Sequence, residues 1–230
     1  MRLDRFISLT TGLTRKEAKD KLKAGCFTVD VFQVKDPSIN IDEYKDEVFY
    51  NGKKLIYEKY SYYMLNKPAG YVSATVDNDP TVIDLLKAEE KKDLFPVGRL
   101  DKDTVGLLLI TNDGEFAHHL TSPRHHVPKR YFVKTLNHLS DDDIKKLESG
   151  ILLKEDGMTK PAIVESVSDD EIYLTITEGM YHQVKRMIAS LGNKVTYLKR
   201  VSIGDLKLDI SLKEGEYRRL TGEEIALLKK

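Results

Sequence analysis

Cysteine is almost absent from this sequence. The 230-residue chain has one, Cys26, so no disulfide can form within it and a cysteine-based zinc site is disfavoured. Long apolar runs are absent too: none approaches the ~20 residues of a membrane span, and charges stand where a signal peptide would have its apolar core. We therefore expect a cytoplasmic protein with no membrane partner. At 40% hydrophobic residues, the chain can still build a proper core.

A net charge is also lacking, but the charges are segregated along the chain. The 37 basic and 37 acidic residues cancel. Residues 2–24 carry seven basic and three acidic side chains, and residues 116–140 and 179–204 contain no acid at all. Such blocks can be solvated surface, but three of them in a neutral chain favour a groove for a polyanion, because clustered Lys and Arg release counterions from phosphates.

The first 58 residues predict a small helix and strand module. Leu3, Phe6 and Ile7 share a helical face, Thr14 and Glu17 form a capping-box pair that opens a second helix, and CFTVDVFQV is typical of a strand. This succession, RLDRFISLTTGLTRKEAKDKLKAGCFTVD, resembles the S4 RNA-binding domain. The resemblance implies that the second helix faces RNA, although a basic helix can also pack on its own protein. The implied contacts are Arg15, Lys16, Lys19 and Lys23.

Residues 59–230 predict a larger α+β domain with a mixed, mostly antiparallel sheet flanked by helices. The run GLLLIT predicts a buried strand, and DPTVIDLLK predicts a short helix. A helix from Tyr181 would carry Val184, Met187 and Ile188 on one stripe, and Thr221 with Glu224 would cap the last helix.

Asp101 lies between a Gly-Arg-Leu turn and the apolar run. It is a poor helix cap, because a strand pattern follows it. Asp103 could complete a carboxylate pair of the glycosidase kind, but we expect Asp103 to bond backbone amides of its own loop. A metal site is disfavoured because the histidines occur as the adjacent pairs 118–119 and 125–126, whose side chains point in different directions.

A lone carboxylate kept ionised by a cation is the remaining chemical reading of Asp101. Arg99 lies two residues upstream, and the predicted helix after Tyr181 offers Lys185 and Arg186. Such an acid can attack or stabilise an electron-poor sugar carbon. From the residues alone, a surface salt bridge stays an open alternative.

Four ordered motifs in the second domain resemble those of the pseudouridine synthases of the RsuA and RluA superfamily. They are MLNKPAGY, GRLDKDTVGLLLITNDG, TSPRHHVPKRYFV and TEGMYHQVKRMIASLGN. Together with SPRHH, the closing GEYRRLT and the S4-like start, they are most similar to the RsuA group, which modifies 16S ribosomal RNA. Two positions of this chain depart from the family pattern. Many relatives have Arg where this chain has Met180, and many distant synthases have Arg where this chain has Lys185.

The resemblance implies the chemistry. Uridine is isomerised by breaking the bond from N1 to C1′ and joining C1′ to C5, with no cofactor and no metal. Asp101 would be the nucleophile or base, Lys185 its ion-pair partner, Tyr131 the ring that stacks on the extruded base, and Arg99 a residue for positioning and base flipping. A single acid suits this reaction, since a base that activates water would cause hydrolysis. The remaining implied RNA contacts are Arg124, His125, Lys129, Arg130, His182 and Arg186.

The resemblance also predicts the substrate. We expect a monomer that acts on 16S rRNA or a 30S assembly intermediate, at uridine 516. A uridine of 23S rRNA, or a noncatalytic role in ribosome assembly, are the alternatives, and a hydrolase or metal-dependent nuclease is more distant.

Overall fold

The computed structural model describes residues 1–91 and 93–229. These residues form two compact units, one ending at Lys59 and the other beginning at Tyr60. No helix of the described chain has the length and apolar character needed to cross a membrane.

The first unit packs two helices on a four-stranded antiparallel sheet of order β2-β1-β3-β4. Its elements are α1 (Leu3–Thr11), α2 (Arg15–Lys23), β1 (Phe27–Val29), β2 (Phe32–Gln33), β3 (Val48–Tyr50) and β4 (Lys53–Leu55). The predicted capping box of α2 is confirmed: Thr14 accepts from the amide of Glu17, whose carboxylate bonds back to Thr14. Leu3, Phe6 and Ile7 are fully buried in this unit's core, as their spacing predicts.

The second unit contains one nine-stranded sheet and one separate two-stranded sheet. The strands are β5 (Tyr62–Lys67), β6 (Phe95–Val97), β7 (Val105–Thr111), β8 (Lys129–Thr135), β9 (Leu152–Leu153), β10 (Gly157–Met158), β11 (Ile163–Ser166), β12 (Glu171–Ile176), β13 (Val195–Ile203), β14 (Leu206–Lys207) and β15 (Tyr217–Arg219). The helices are α3 (Gly114–Thr121), α4 (Asp141–Ser149), α5 (Gln183–Ser190) and α6 (Gly222–Leu228), with a short 3₁₀ turn at Ala88–Glu90. Strands β9 and β10 form a separate hairpin.

The main sheet has the order β11-β12-β8-β13-β7-β5-β15, with β14 paired to β13 and β6 to β7. Only the β13–β7 pair is parallel among the strands described, so the predicted α+β class and mostly antiparallel sheet are confirmed. Every residue of β7 is buried, because one hydrophobic core lies on each face of the sheet at this strand. The rigid strand β7 directly follows the loop that carries Asp101.

The prediction of a short helix for DPTVIDLLK is wrong. The segment forms turns instead, because Val72 bonds to Pro80 and Val82 on either side and so holds Thr81 in a parallel bridge. The carboxylate of Asp84 accepts from both the amide and the hydroxyl of Thr81. Three apolar side chains, Val82, Ile83 and Leu86, are buried without a helix.

Candidate active site

The loop that carries Asp101 is fixed at its backbone. Ser73 accepts from the amide of Leu100 at 3.0 Å and donates to the carbonyl of Leu100 at 2.9 Å. The amide of Thr104 closes a turn onto the carbonyl of Asp101 at 3.1 Å. The loop is therefore anchored on both sides of the carboxylate, which a catalytic group requires of its support.

Lys67 lies under this loop and is fully buried. Four carbonyl oxygens lie within hydrogen-bonding distance of its ammonium and share its three N–H groups: Thr104 at 2.8 Å, Asp101 at 3.0 Å, Pro68 at 3.1 Å and Lys102 at 3.3 Å. Burial lowers the pKa of Lys67 to about 8, against the attraction of Asp103 and Asp101. Sequence reasoning assigned this Lys-Pro segment to a turn and gave the buried amine no role.

Lys185, near the start of α5, contacts Asp101. Its Nζ lies 2.8 Å from Oδ2 of Asp101 and 2.5 Å from Oδ1 of Asp103. Burial lowers the pKa of Lys185, but the hydrogen bonds to Asp101 and Asp103 outweigh burial and the pKa is raised. The bond to Lys185 in turn lowers the pKa of Asp103, against the effect of burial. One ammonium thus serves two carboxylates.

The sequence predicted that Asp103 bonds the backbone amides of its own loop. In the structure Asp103 also takes part in this ion-pair network. Its side chain is 75% exposed, whereas that of Asp101 is 23% exposed. Asp101 lines the cleft described below, and Asp103 is not among the lining residues. The structure therefore separates the two acids: one faces the cleft and the other faces solvent.

His182 approaches Asp101 from the other side. Its Nε2 lies 3.3 Å from Oδ1 of Asp101, and its ring stacks on Tyr181 with centroids 3.8 Å apart. The backbone φ of His182 is +48°, a left-handed conformation that non-glycine residues seldom adopt. Strained residues of this kind cluster at functional sites. The sequence predicted His182 as an RNA contact and did not place it beside the acid.

A cleft of about 530 Å³ opens above Asp101. Tyr131 of β8 lines it and is 9% exposed, and Met180, where many relatives have Arg, also lines it. Arg99 lines the cleft as an exposed side chain but forms no ion pair with Asp101 among the described residues, where Lys185 and His182 hold that place.

Two further cations line the cleft. Burial, with a contribution from Arg200, lowers the pKa of Lys129 to about 8. Arg200 is 4% exposed and its Nε donates to the carbonyl of Leu107 at 2.8 Å. One terminal nitrogen of Arg200 is buried with no hydrogen-bond partner in residues 1–91 and 93–229. Sequence reasoning missed Arg200, although it belongs to an acid-free block that was recognised as basic.

The other sequence-predicted RNA contacts lie outside the cleft. Arg130 bonds Glu165 at 2.7 Å, and Arg186 forms an ion pair with Asp156. Arg124 and His125 are exposed after α3, and α2 exposes its four predicted contacts, Arg15, Lys16, Lys19 and Lys23. The described chain contains no group of three or more His, Cys, Asp or Glu side chains arranged to hold a metal ion.

The chain is similar to known RNA pseudouridine synthases. A model of the family described as RNA pseudouridylate synthase matches residues 61–190, which include Asp101, Tyr131 and Lys185. A solved structure titled "Crystal structure of pseudouridylate synthase" is 42% identical, with a TM-score of 0.72 and 99% of both chains covered.

Curated relatives cover nearly the whole chain. The uncharacterized RNA pseudouridine synthase YtzG of Bacillus subtilis is 47% identical over 234 residues, covering 99% of this chain and 98% of its own. Ribosomal small subunit pseudouridine synthase A of Escherichia coli K12 is 44% identical over 229 residues, with coverages of 98% and 99%, and that of Haemophilus influenzae is 44% identical with complete coverage of both. The chain thus belongs to the RNA pseudouridylate synthase family and is a pseudouridine synthase of the RsuA type.

Proposed function

We propose that this enzyme converts uridine 516 of 16S ribosomal RNA to pseudouridine, with Asp101 as its one catalytic carboxylate. The observation that carries the proposal is the position of Asp101 in the cleft, paired with Lys185 at 2.8 Å. The 44% identical relatives named for the small ribosomal subunit support the 16S target. The 47% identical relative carries no target in its name, so the identity of the uridine needs its own test.

The contacts support distinct roles for the residues around the acid. Lys185, 2.8 Å from Asp101, would orient the carboxylate and balance its charge, and Asp101 would attack or deprotonate the nucleotide when the bond from N1 to C1′ breaks. Tyr131 and Arg99 line the cleft. Tyr131 would stack on the extruded base, and the exposed Arg99 would position that base or fill the space it leaves. Asp103 does not line the cleft, and Glu178, the other carboxylate that does, accepts hydrogen bonds from the amide of Lys160 and the side chain of Gln183.

Further cations would hold the RNA backbone. Lys129 and the unpaired nitrogen of Arg200 supply positive charge inside the cleft, where a phosphate or carbonyl oxygen would complete their hydrogen bonds. The first unit, which we propose is an S4-like domain, would add Arg15, Lys16, Lys19 and Lys23 of α2. Exposed Arg124 and His125, and His182 beside the acid, would extend the contact. Arg130 and Arg186 would have to exchange their acidic partners for phosphate.

The target is tested by mapping pseudouridine in ribosomal RNA from a strain that lacks the gene. We expect one 16S position to lose its pseudouridine and to regain it on complementation. Loss at a 23S position instead would contradict the 16S assignment, and an unchanged map would support a noncatalytic assembly role. Purified enzyme, expected to be a cytoplasmic monomer, would then be given free 16S rRNA and 30S assembly intermediates to identify which of them it modifies.

A further inference from the structure

The face of the sheet opposite the active-site cleft carries an unusual set of side chains along β8, β12 and β13. Alternate residues of β8 and β12, among them Val133 and Leu174, are buried in the hydrophobic core. Their neighbours point to the other face and stay partly exposed. Three of these are aromatic, Phe132, Tyr173 and Tyr197, and they belong to neither hydrophobic core of the second unit.

These three rings form one cluster across three strands. The ring of Phe132 lies 5.4 Å from that of Tyr173 and 6.2 Å from that of Tyr197. Tyr173 and Lys199 flank Phe132 directly in the strand register. Cations lie over the rings: the guanidinium of Arg130 is 4.2 Å from the centre of Tyr173, and the ammonium of Lys134 is 5.6 Å from that of Phe132. We call these six residues the aromatic face.

Next to the aromatic face is a cleft of about 450 Å³, which is large enough for a nucleotide. Arg130, Tyr173, Lys199 and Lys207 line it. Arg130 and Lys134 have acidic partners, Glu165 and Glu171, at the sheet surface, but no ion pair involves Lys199 or Lys207 in residues 1–91 and 93–229. Asp209 also lines the cleft, but its carboxylate pairs with Arg218. Lys199 and Lys207 therefore bring positive charge to the cleft that no ion pair of the described chain neutralises.

Two buried polar atoms among the lining residues have no hydrogen-bond partner in the described structure. They are Oδ1 of Asn66, whose Nδ2 donates to Leu212, and Nε of Arg130. Buried polar groups are seldom left unpaired, so each calls for an explanation. One atom accepts and the other donates, and the edge of a nucleobase offers partners for both.

We propose that the aromatic face and its cleft bind a single-stranded segment of the RNA substrate. Aromatic rings interleaved with basic side chains on an open sheet are how unpaired nucleotides are held, since every base can stack and every nucleotide carries a phosphate. A protein partner would gain less from unpaired Lys199 and Lys207. The inference rests on the proposed function in that RNA is the partner, but it concerns a surface distinct from the catalytic cleft.

The test uses the full-length enzyme and a fluorescein-labelled oligouridylate of about eight nucleotides. The double variant Tyr173→Leu with Lys199→Gln should bind this probe about tenfold more weakly in fluorescence anisotropy at fixed salt. Tyr173→Phe, which keeps the ring, should bind like the native enzyme. Lys145→Gln, at an exposed lysine of α4, is the matched charge control and should have no effect. Thermal melting of each variant verifies that it is folded.

Photo-cross-linking with 5-iodouridine in the same probe locates the contact. Cross-links to Phe132, Tyr173 or Tyr197 support the proposal. Unchanged affinity in the double variant, or cross-links confined to Tyr131 and Tyr181 of the catalytic cleft, would overturn it. Two other results would also overturn it. A binding defect of the double variant on partly assembled ribonucleoprotein, with oligouridylate binding intact, would indicate that a protein occupies this face. A native dimer in sedimentation that the double variant dissociates would indicate a second copy of the chain.

Pseudouridine formation separates this proposal from the proposed function. On a minimal stem-loop without single-stranded flanks, the double variant should modify uridine at the native rate. If native enzyme is active there and the probe results are negative, only the aromatic face is refuted. If native enzyme forms no pseudouridine in any ribosomal RNA, the proposed function fails whatever the probe shows.

Discussion

Gly106 of β7 follows the loop that carries Asp101, and we predict that Gly106→Ala is severely destabilising. Gly106 pairs in parallel with Arg200 of β13, and its φ of +100° lies in a region that other residues avoid. A Cβ at this position would lie 2.3 Å from the carbonyl oxygen and 2.9 Å from the amide nitrogen of Arg200. Because these are backbone atoms of a strand paired on both sides within the sheet, they cannot rotate away as a side chain can.

The expected loss has two parts. The unfavourable backbone conformation contributes about 1–2 kcal/mol, and forcing packed strands apart contributes about 1–3 kcal/mol. The free energy of unfolding should therefore fall by about 2–5 kcal/mol. For a unit of this size, each kcal/mol lowers Tm by about 2–4 °C, so Tm should fall by about 4–20 °C. The rate of pseudouridine formation should fall as well, because β7 supports the loop of Asp101.

Gly215→Ala is the matched control. Gly215 has a similar φ of +88°, but nothing lies within 4 Å of a Cβ built there. Only the conformational part should remain, about 1–2 kcal/mol, with native activity at low temperature. Melting of the two variants by circular dichroism measures the difference. Equal losses of Tm in both would refute the claim that close approach of β7 and β13 requires glycine at residue 106.

Three further predictions concern single side chains. Lys185→Met should lower turnover at least about 100-fold with the fold intact, because Asp101 loses its ammonium partner. Single-turnover kinetics measures this loss, and near-native turnover would show that Lys185 is not part of the site. RNA affinity should weaken from pH 7 to pH 9 as Lys129, whose pKa is about 8, loses its charge. Lys129→Arg should keep its charge over this range and so flatten that part of the plot of affinity against pH. The same pH dependence in the variant and the native enzyme would argue against Lys129 as an RNA contact. Thr14→Ala removes the cap of α2 and should destabilise the first unit by about 1 kcal/mol in urea unfolding, whereas an unchanged midpoint would show that the cap contributes nothing.

Local features were predictable from the sequence because neighbouring residues determine them. The capping boxes at Thr14 and Thr221 are observed, since each needs only a hydroxyl and a carboxylate three residues apart. The strand GLLLIT is observed because seven consecutive buried residues, 105–111, leave little choice of structure. The prediction for DPTVIDLLK was wrong because the start of this segment pairs with Val72 in a backbone bridge that its local residue pattern does not show.

The site was only partly predictable, because it is assembled from distant segments. Resemblance, not spacing, pointed to Lys185 as the partner of Asp101. No local pattern shows that Lys67 is buried beneath the loop of Asp101, 34 residues away, or that Arg200 reaches the cleft from β13. The left-handed backbone that turns His182 toward Asp101 likewise depends on tertiary structure.

Replacement of Asp101 by Asn tests the central claim most directly. The change keeps the shape of the side chain, and Lys185 keeps Asp103 as a partner, so folding and RNA binding should persist. Asp103→Asn is the matched control, because it removes the other carboxylate bound to the same ammonium. With 16S rRNA in single-turnover assays, we predict no detectable pseudouridine from Asp101→Asn and near-native formation from Asp103→Asn. Pseudouridine formed at a comparable rate by Asp101→Asn would contradict the account.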